Sequence, residues 1–115
     1  MLPQQNRLRC RHDFAKVYNQ GNRYGGRFLR LRVRFTDNPH QPTRIGIVIS
    51  KKVSKQAVVR NRVKRQLRAI LRSHLSNLRQ GLQIIVTVST LRGEPTYHQL
   101  CQDLNQILIK AEILY

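Results

Sequence analysis

Residues 28–35, FLRLRVRF, alternate between two kinds of side chain, with Leu29, Leu31, Val33 and Phe35 set against Arg30, Arg32 and Arg34. A period of two predicts a strand with one buried face, and here the other face carries three arginines. Asp37-Asn38-Pro39 through Pro42 reads as a turn. Arg44 to Ser50 (RIGIVIS), rich in β-branched residues, then predicts a second strand, central in its sheet. Leu82 to Ser89 (LQIIVTVS) predicts a third, with Ile84, Val86 and Val88 on one face and Gln83, Ile85, Thr87 and Ser89 on the other.

Between and around these runs the period lengthens. Phe14, Val17 and Tyr18 stand at helical spacing, with Asp13 in the first turn and Gly21 placed to supply a left-handed stop, which predicts a helix over 12–20. Val59, Val63, Leu67 and Ile70 mark a longer helix over about 56–77, with Gly81 beyond its end. After Gly93-Glu94-Pro95, Thr96 and Gln99 make a capping box. They open a last helix whose buried stripe is Tyr97, Leu100, Leu104, Ile107 and Leu108. The order is α-β-β-α-β-α, or α-β-β-β-α-β-α if residues 23–50 hold an extra short strand. Either gives an α/β two-layer domain, a small mixed sheet with three helices. The whole chain, 1–115, reads as one domain, with residues 1–10 as an extended, partly ordered arm.

Charge changes the picture at the long helix. From Lys51 to Arg72 the chain reads KKVSKQAVVRNRVKRQLRAILR, and no Asp or Glu occurs between Asp37 and Glu94. At roughly 100° per residue, the apolar stripe takes one side while Lys64, Arg65, Arg68 and Arg72 fan over much of the other. Such a helix docks by one face and offers fixed cations to a polyanion by the other. Over the whole chain, 22 Lys and Arg face 5 Asp and Glu, a formal net charge of +17. Self-repulsion at that charge costs stability, so the charge serves binding. The basic residues are mostly Arg, whose planar fork pairs bidentately with phosphate and stacks on bases. Nucleic acid is therefore the expected partner.

Other classes lose ground. No run approaches the roughly 18 apolar residues of a membrane span, and MLPQQNRLRCRH has no apolar signal core. Cys10 and Cys101 make no disulfide framework; each reads as a small hydrophobic side chain in a reducing cytoplasm. There is no nucleophile elbow, Walker loop or H-E-x-x-H, and the carboxylates are scattered. Cys10-x-His12 and His98-x-x-Cys101 do not have the spacings of a standard zinc site, and His74 falls on the apolar side of the basic helix. No catalytic residue is assigned. The second basic surface is the strand face of Arg30, Arg32 and Arg34 with Phe14 and Tyr18 one short helix away. Taken alone the two aromatics read as core, but beside unpaired arginines they suit single-stranded nucleic acid.

The run from Ser50 to Arg72, with Arg60-Asn61-Arg62-Val63-Lys64-Arg65 following Ser50-Lys51-Lys52, closely resembles the signature of the bacterial ribonuclease P protein subunit. Asn6-Arg7-Leu8, Asp13-Phe14, Val17-Tyr18 and Gly21 resemble that family's opening helix, and Arg44-Ile45-Gly46-Ile47 its central strand. The resemblance implies a left-handed β-α-β crossover around the basic helix, where general topology predicts a right-handed one. It implies a catalytic RNA subunit as partner and removal of the 5′ leader from precursor tRNA, with Mg2+ held mainly by the RNA. No membrane and no obligate protein partner is implied. By position, Arg60, Asn61, Arg62, Lys64, Arg65 and Arg68 match RNA-subunit contacts. Phe14, Tyr18, Arg30, Arg32, Lys51 and Lys52 match a cleft for the single-stranded leader. Arg30 and Arg32 depart from the apolar or aromatic residues the family can carry there, so leader contact is expected to be more electrostatic. The strand ending IIVTVST lacks the basic residue expected near Val88 or Ser89, which leaves open whether Thr87 to Ser89 contact the leader. The other class that shares this charge and size is a structural RNA-binding protein, such as a ribosomal protein, without a role in cleavage.

Overall fold

The computed structural model describes residues 2–114. Three helices, α1 (Arg11–Gln20), α2 (Ala57–His74) and α3 (Tyr97–Lys110), surround four strands, β1 (Asn22–Gly25), β2 (Leu29–Phe35), β3 (Arg44–Val48) and β4 (Leu82–Val88). The longer of the two orders is the one adopted, with β1 the extra short strand. The sheet order is β1-β2-β4-β3, antiparallel except for the parallel pair β3–β4. β3 is thus an edge strand and not the central one its composition predicts. Its apolar residues answer to burial under α2, while β4 takes the middle and is buried along nearly its whole length.

Alternation assigns the faces. Leu29, Leu31 and Val33 of β2, Ile84, Val86 and Val88 of β4 and Ile45 of β3 point to one side, where they meet Val63, Leu67, Ile70 and Leu71 of α2 and Leu100, Leu104, Ile107 and Leu108 of α3. Burying each such side chain contributes roughly 1.5–3 kcal/mol against the chain entropy. Tyr97 begins the predicted α3 stripe but is 46% exposed, because it lies in the first turn, ahead of the contact with the sheet. The other face is crossed by α1, which buries Val17 against Leu8 and Ile85 with Phe14 and Val48 beside them. Gly21 ends α1 in extended backbone, not in the left-handed conformation. What requires glycine there is proximity: a Cβ would stand 2.5 Å from the Val17 carbonyl oxygen and 3.1 Å from that of Val33.

The arm is docked. Leu2 and Leu8 are buried, a 3-10 turn spans Gln4–Asn6, and the Leu8 N–H donates to the Ile45 carbonyl at 3.0 Å. That bond also fixes a handedness. Ile45 faces α2, and its carbonyl points to Leu8, on the edge away from β4. In an L-residue strand running upward with the side chain toward the viewer, that residue's N–H and C=O point right, so β4 lies to the left. The β3–α2–β4 crossover is left-handed, against the general rule.

One carboxylate ties the two layers together. Asp103 of α3 is 5% exposed and accepts the backbone N–H groups of Arg27, Phe28 and Leu29 at 2.7, 2.9 and 2.9 Å. It thereby clamps the β1–β2 turn to α3, and it crowds Gly26 so closely that any Cβ there would collide with it. Asp103→Ala would leave several buried donors without an acceptor, each costing roughly 1–3 kcal/mol. We expect urea denaturation to show a loss of about 3 kcal/mol or more, and Asp103→Asn, which keeps one acceptor oxygen, a smaller loss.

Candidate nucleic-acid interface

The first basic surface is the outer side of α2. With Val63, Leu67, Ile70 and Leu71 buried, Asn61, Arg65, Arg68 and Arg72 fall within about 60° of one another on the opposite side. Asn61, Arg62, Arg65 and Arg72 are exposed, and Lys64 and Arg68 are half-buried along the flanks. Arg72 completes the row and belongs with the motif residues, a membership its helical spacing already carries. Arg60 differs from its neighbours. It is half-buried, and its guanidinium Nη1 donates to the Ser54 carbonyl at 2.8 Å. It thus holds the 50–54 turn on which Lys51 and Lys52 stand exposed.

The second surface lies on the opposite face of the sheet. α1 runs diagonally there: Phe14 near its start packs on Gly46 of β3, Val17 covers Ile85 of β4, and its end meets β2. The arginine strand is what receives that end. Arg32 Nη1 donates to the Tyr18 carbonyl at 3.2 Å, and its guanidinium stacks 4.7 Å above the Tyr18 ring. Arg34 donates to the side-chain oxygens of Gln20 and Gln83, each at 2.9 Å. A helix C-terminus is the negative end of its dipole and leaves carbonyls unpaired, so cations there dock it. Two of the three arginines therefore hold α1 as well as facing outward.

Beyond α1 the face is open. The register sets Arg30 of β2, Thr87 of β4 and Val48 of β3 side by side, a floor about 10 Å across at the usual strand spacing. Arg30 is exposed, Thr87 and Val48 are half-buried, and Lys51 and Lys52 follow the end of β3. Tyr18, 38% exposed, stands at one wall, whereas Phe14 is largely committed to packing on Gly46. Of the residues predicted for this cleft, Tyr18, Arg30 and Arg32 come together, with the two lysines at its end. Val48 and Thr87 join its floor through a register that no one-dimensional reading gives. Arg23 of β1 lies beside Arg32 and extends the same basic face to the sheet's other edge.

Reactive side chains are sparse by comparison. Among the described residues no group of three or more His, Cys, Asp or Glu side chains is gathered to hold a metal ion. His74, on the apolar side of α2, has its Nε2 against Asn105 Oδ1 of α3, a packing role. Cys101 is half-buried beside Asn105, while Cys10 is exposed, contrary to a hydrophobic role, because it caps α1 from outside the core. No helix among the described residues is long and apolar enough to cross a membrane.

Comparison with known proteins points to a family. A family model described as Ribonuclease P matches residues 2–112. The chain is 60% identical to a ribonuclease P protein component of Pseudanabaena, covering 100% of this chain and 98% of that protein. It is 45% identical to that of Cyanothece, covering 100% of this chain and 98% of that one. Among solved structures, the RNase P protein of Staphylococcus aureus superposes with a TM-score of 0.84 at 27% identity, covering 96% of this chain and 98% of that chain.

The two sides of α2 predict opposite responses. Val63→Asp places a charge in the apolar layer and is expected to unfold the domain or cost several kcal/mol. Arg62→Ala and Arg65→Ala, both exposed, are expected to stay within about 0.5 kcal/mol of the parent. Thermal melts followed by circular dichroism check both. A large loss from either alanine variant would mean that the basic side also supports the fold.

Proposed function

Because the chain belongs to the ribonuclease P protein family, we propose that it works with two RNA ligands at once, the catalytic RNA subunit on the α2 face and the 5′ leader of precursor tRNA on the open floor beside α1. As a ribonuclease P protein component it is part of a ribonucleoprotein nuclease that processes tRNA. The observation that carries the finer reading is the separation of two basic surfaces onto opposite faces of one sheet. Two basic surfaces so separated can hold two RNA ligands without either displacing the other. Arg62, Arg65, Arg68 and their neighbours offer a rigid row of cations of the kind that suits a structured RNA backbone. The floor of Arg30, Thr87 and Val48, walled by Tyr18 and Arg32, offers stacking and charge together, which suits an unpaired strand.

In this reading the protein raises the affinity of the complex for precursors that carry a leader, and the phosphodiester is hydrolysed by the RNA subunit with Mg2+ that it holds. The protein's part is electrostatic and positional: it neutralises phosphate and fixes the leader's path. The ribosomal-protein alternative shares the charge but not the family, and nothing in the comparisons favours it.

Reconstitution tests the assignment. RNA-free protein is expected not to cleave precursor tRNA, and the same protein with its RNA subunit and Mg2+ is expected to cleave it at low salt. Cleavage by the protein alone would overturn the division of labour. Arg62→Ala with Arg65→Ala should weaken binding to the RNA subunit. It should also flatten the plot of log K against log salt, by up to roughly 0.9 for each duplex phosphate no longer neutralised. Tyr18→Ala with Arg30→Ala should instead lower affinity for a leader-bearing precursor. Stacking contributes roughly 1–3 kcal/mol per base, and each 1.4 kcal/mol is tenfold in affinity. Mature tRNA and the RNA subunit should bind nearly as before. Equal losses for leader-bearing and leaderless ligands would reduce this face to general electrostatics.

A further inference from the structure

Glu94 is the first acidic residue after Asp37, and it stands on a groove between α2 and the connection from β4 to α3. Val59 and Val63 of α2, with Leu91 and Pro95 of the connection, make an apolar floor in a space of about 630 Å³. That volume lies within the roughly 300–1,000 Å³ of pockets that enclose small organic ligands. The rim is polar. Gln56, Arg62 and Gln66 line it along α2, and Glu94 lines it from the connection. The Glu94 N–H closes a turn on the Leu91 carbonyl at 3.0 Å, and Glu94 itself has φ 48°, a conformation that favours glycine. An exposed carboxylate is thus set beside the motif helix on a backbone that a glycine would fit better.

We propose that this groove takes one unpaired guanine base of the RNA subunit, with the base's Watson–Crick edge on the Glu94 carboxylate and its ring on the apolar floor. The inference rests on the reading that the α2 face holds the RNA subunit, and it adds base recognition to a surface otherwise suited to phosphate. Continuity identifies the partner: exposed Arg62 is both a motif residue and part of the groove's rim, so RNA laid along α2 passes the mouth of the groove. Charge selects the base over the phosphate. A carboxylate repels a phosphodiester but accepts N–H donors. Of the four bases, guanine alone sets two such donors side by side, N1–H and the N2 amino group, in reach of both carboxylate oxygens. Arg62 and the amides of Gln56 and Gln66 offer donors to guanine O6 and N7. Val59, Val63, Leu91 and Pro95 take the flat of the ring out of water.

Removing a negative charge from a protein that binds a polyanion raises its affinity wherever that charge only repels. We expect the opposite sign here. Glu94→Gln should weaken binding of the RNA subunit by roughly tenfold, the loss of a charge-assisted pair of hydrogen bonds. The salt slope should stay near that of the parent, because no phosphate contact is lost. Glu94→Gly, which suits the backbone at that φ, should melt no lower than the parent and yet bind as weakly as Glu94→Gln. In parallel, a glyoxal reagent that adds across N1 and N2 of unpaired guanines is applied to the RNA subunit alone, with the parent protein, and with saturating Glu94→Gln. One guanine should be shielded by the parent and reactive again with the variant. Unchanged or tighter binding by Glu94→Gln, or no guanine whose shielding depends on Glu94, overturns the proposal. Failure of the α2-face reading is seen separately in Arg65→Ala, a residue outside the groove, whose salt slope would then match the parent's.

Discussion

Asp103 accepts three consecutive backbone N–H groups from inside the domain, in a chain with far more guanidinium groups than carboxylates. A carboxylate on the surface of such a protein would be surrounded by arginines and bound to none in particular. Buried at the start of β2, it has partners of fixed geometry and satisfies donors that the apolar layer cannot. The consequence reaches well past the turn. β2 is the strand that carries Arg30, Arg32 and Arg34, and its position over α3 is set where Asp103 holds residues 27–29. Shift that end, and the register that places Arg32 beneath Tyr18 and Arg30 beside Thr87 shifts with it.

The same logic governs how the domain tolerates its charge. Twenty-two cations in a small domain repel one another whatever their arrangement, and few carboxylates are present to compensate. Part of the relief is internal. Arg32 and Arg34 face the C-terminal end of α1, Arg60 holds the 50–54 turn by a carbonyl, and Arg7 holds the first residues of the arm. Each uses a backbone or amide oxygen where another protein would use Asp or Glu. Oxygens of that kind attract a guanidinium without neutralising it, so the outward field survives. The domain is folded partly by the same cations that give its surface its charge.

That double use explains which features are legible in the sequence. The alternation from Leu29 to Arg34 and the stripe of α2 are readable because periodicity reports burial directly, whereas Phe35, the last of the alternating apolar set, is 55% exposed because β2 ends there. The Thr96–Gln99 capping box is present on both sides of its reciprocal pair, as local spacing predicts. Cys10, Tyr97 and the edge placement of β3 run against the local pattern, since each depends on neighbours that no local pattern names. Gly21 has the position of a left-handed stop, yet a close approach to Val17 and Val33 is what excludes a side chain there. Asp103 gives no signal at all, because a lone carboxylate in a helix normally faces solvent. Of the interface, the motif helix can be read residue by residue. The floor beside α1 can be read only from β2, because Val48 and Thr87 enter through pairing between distant segments.

Chain topology finally accounts for where the two basic surfaces come nearest to each other. A right-handed crossover from β3 would have carried β4 to the side now occupied by the arm. The left-handed path leaves that edge bare beyond Ile45, with α2 above it and the first turn of α1 behind it. Arg68 from one layer and Phe14 from the other can then line a single cleft. Elsewhere the two faces are separated by the thickness of the sheet. A cation of the motif helix thus stands at the same edge as the aromatic ring on which the opposite face begins.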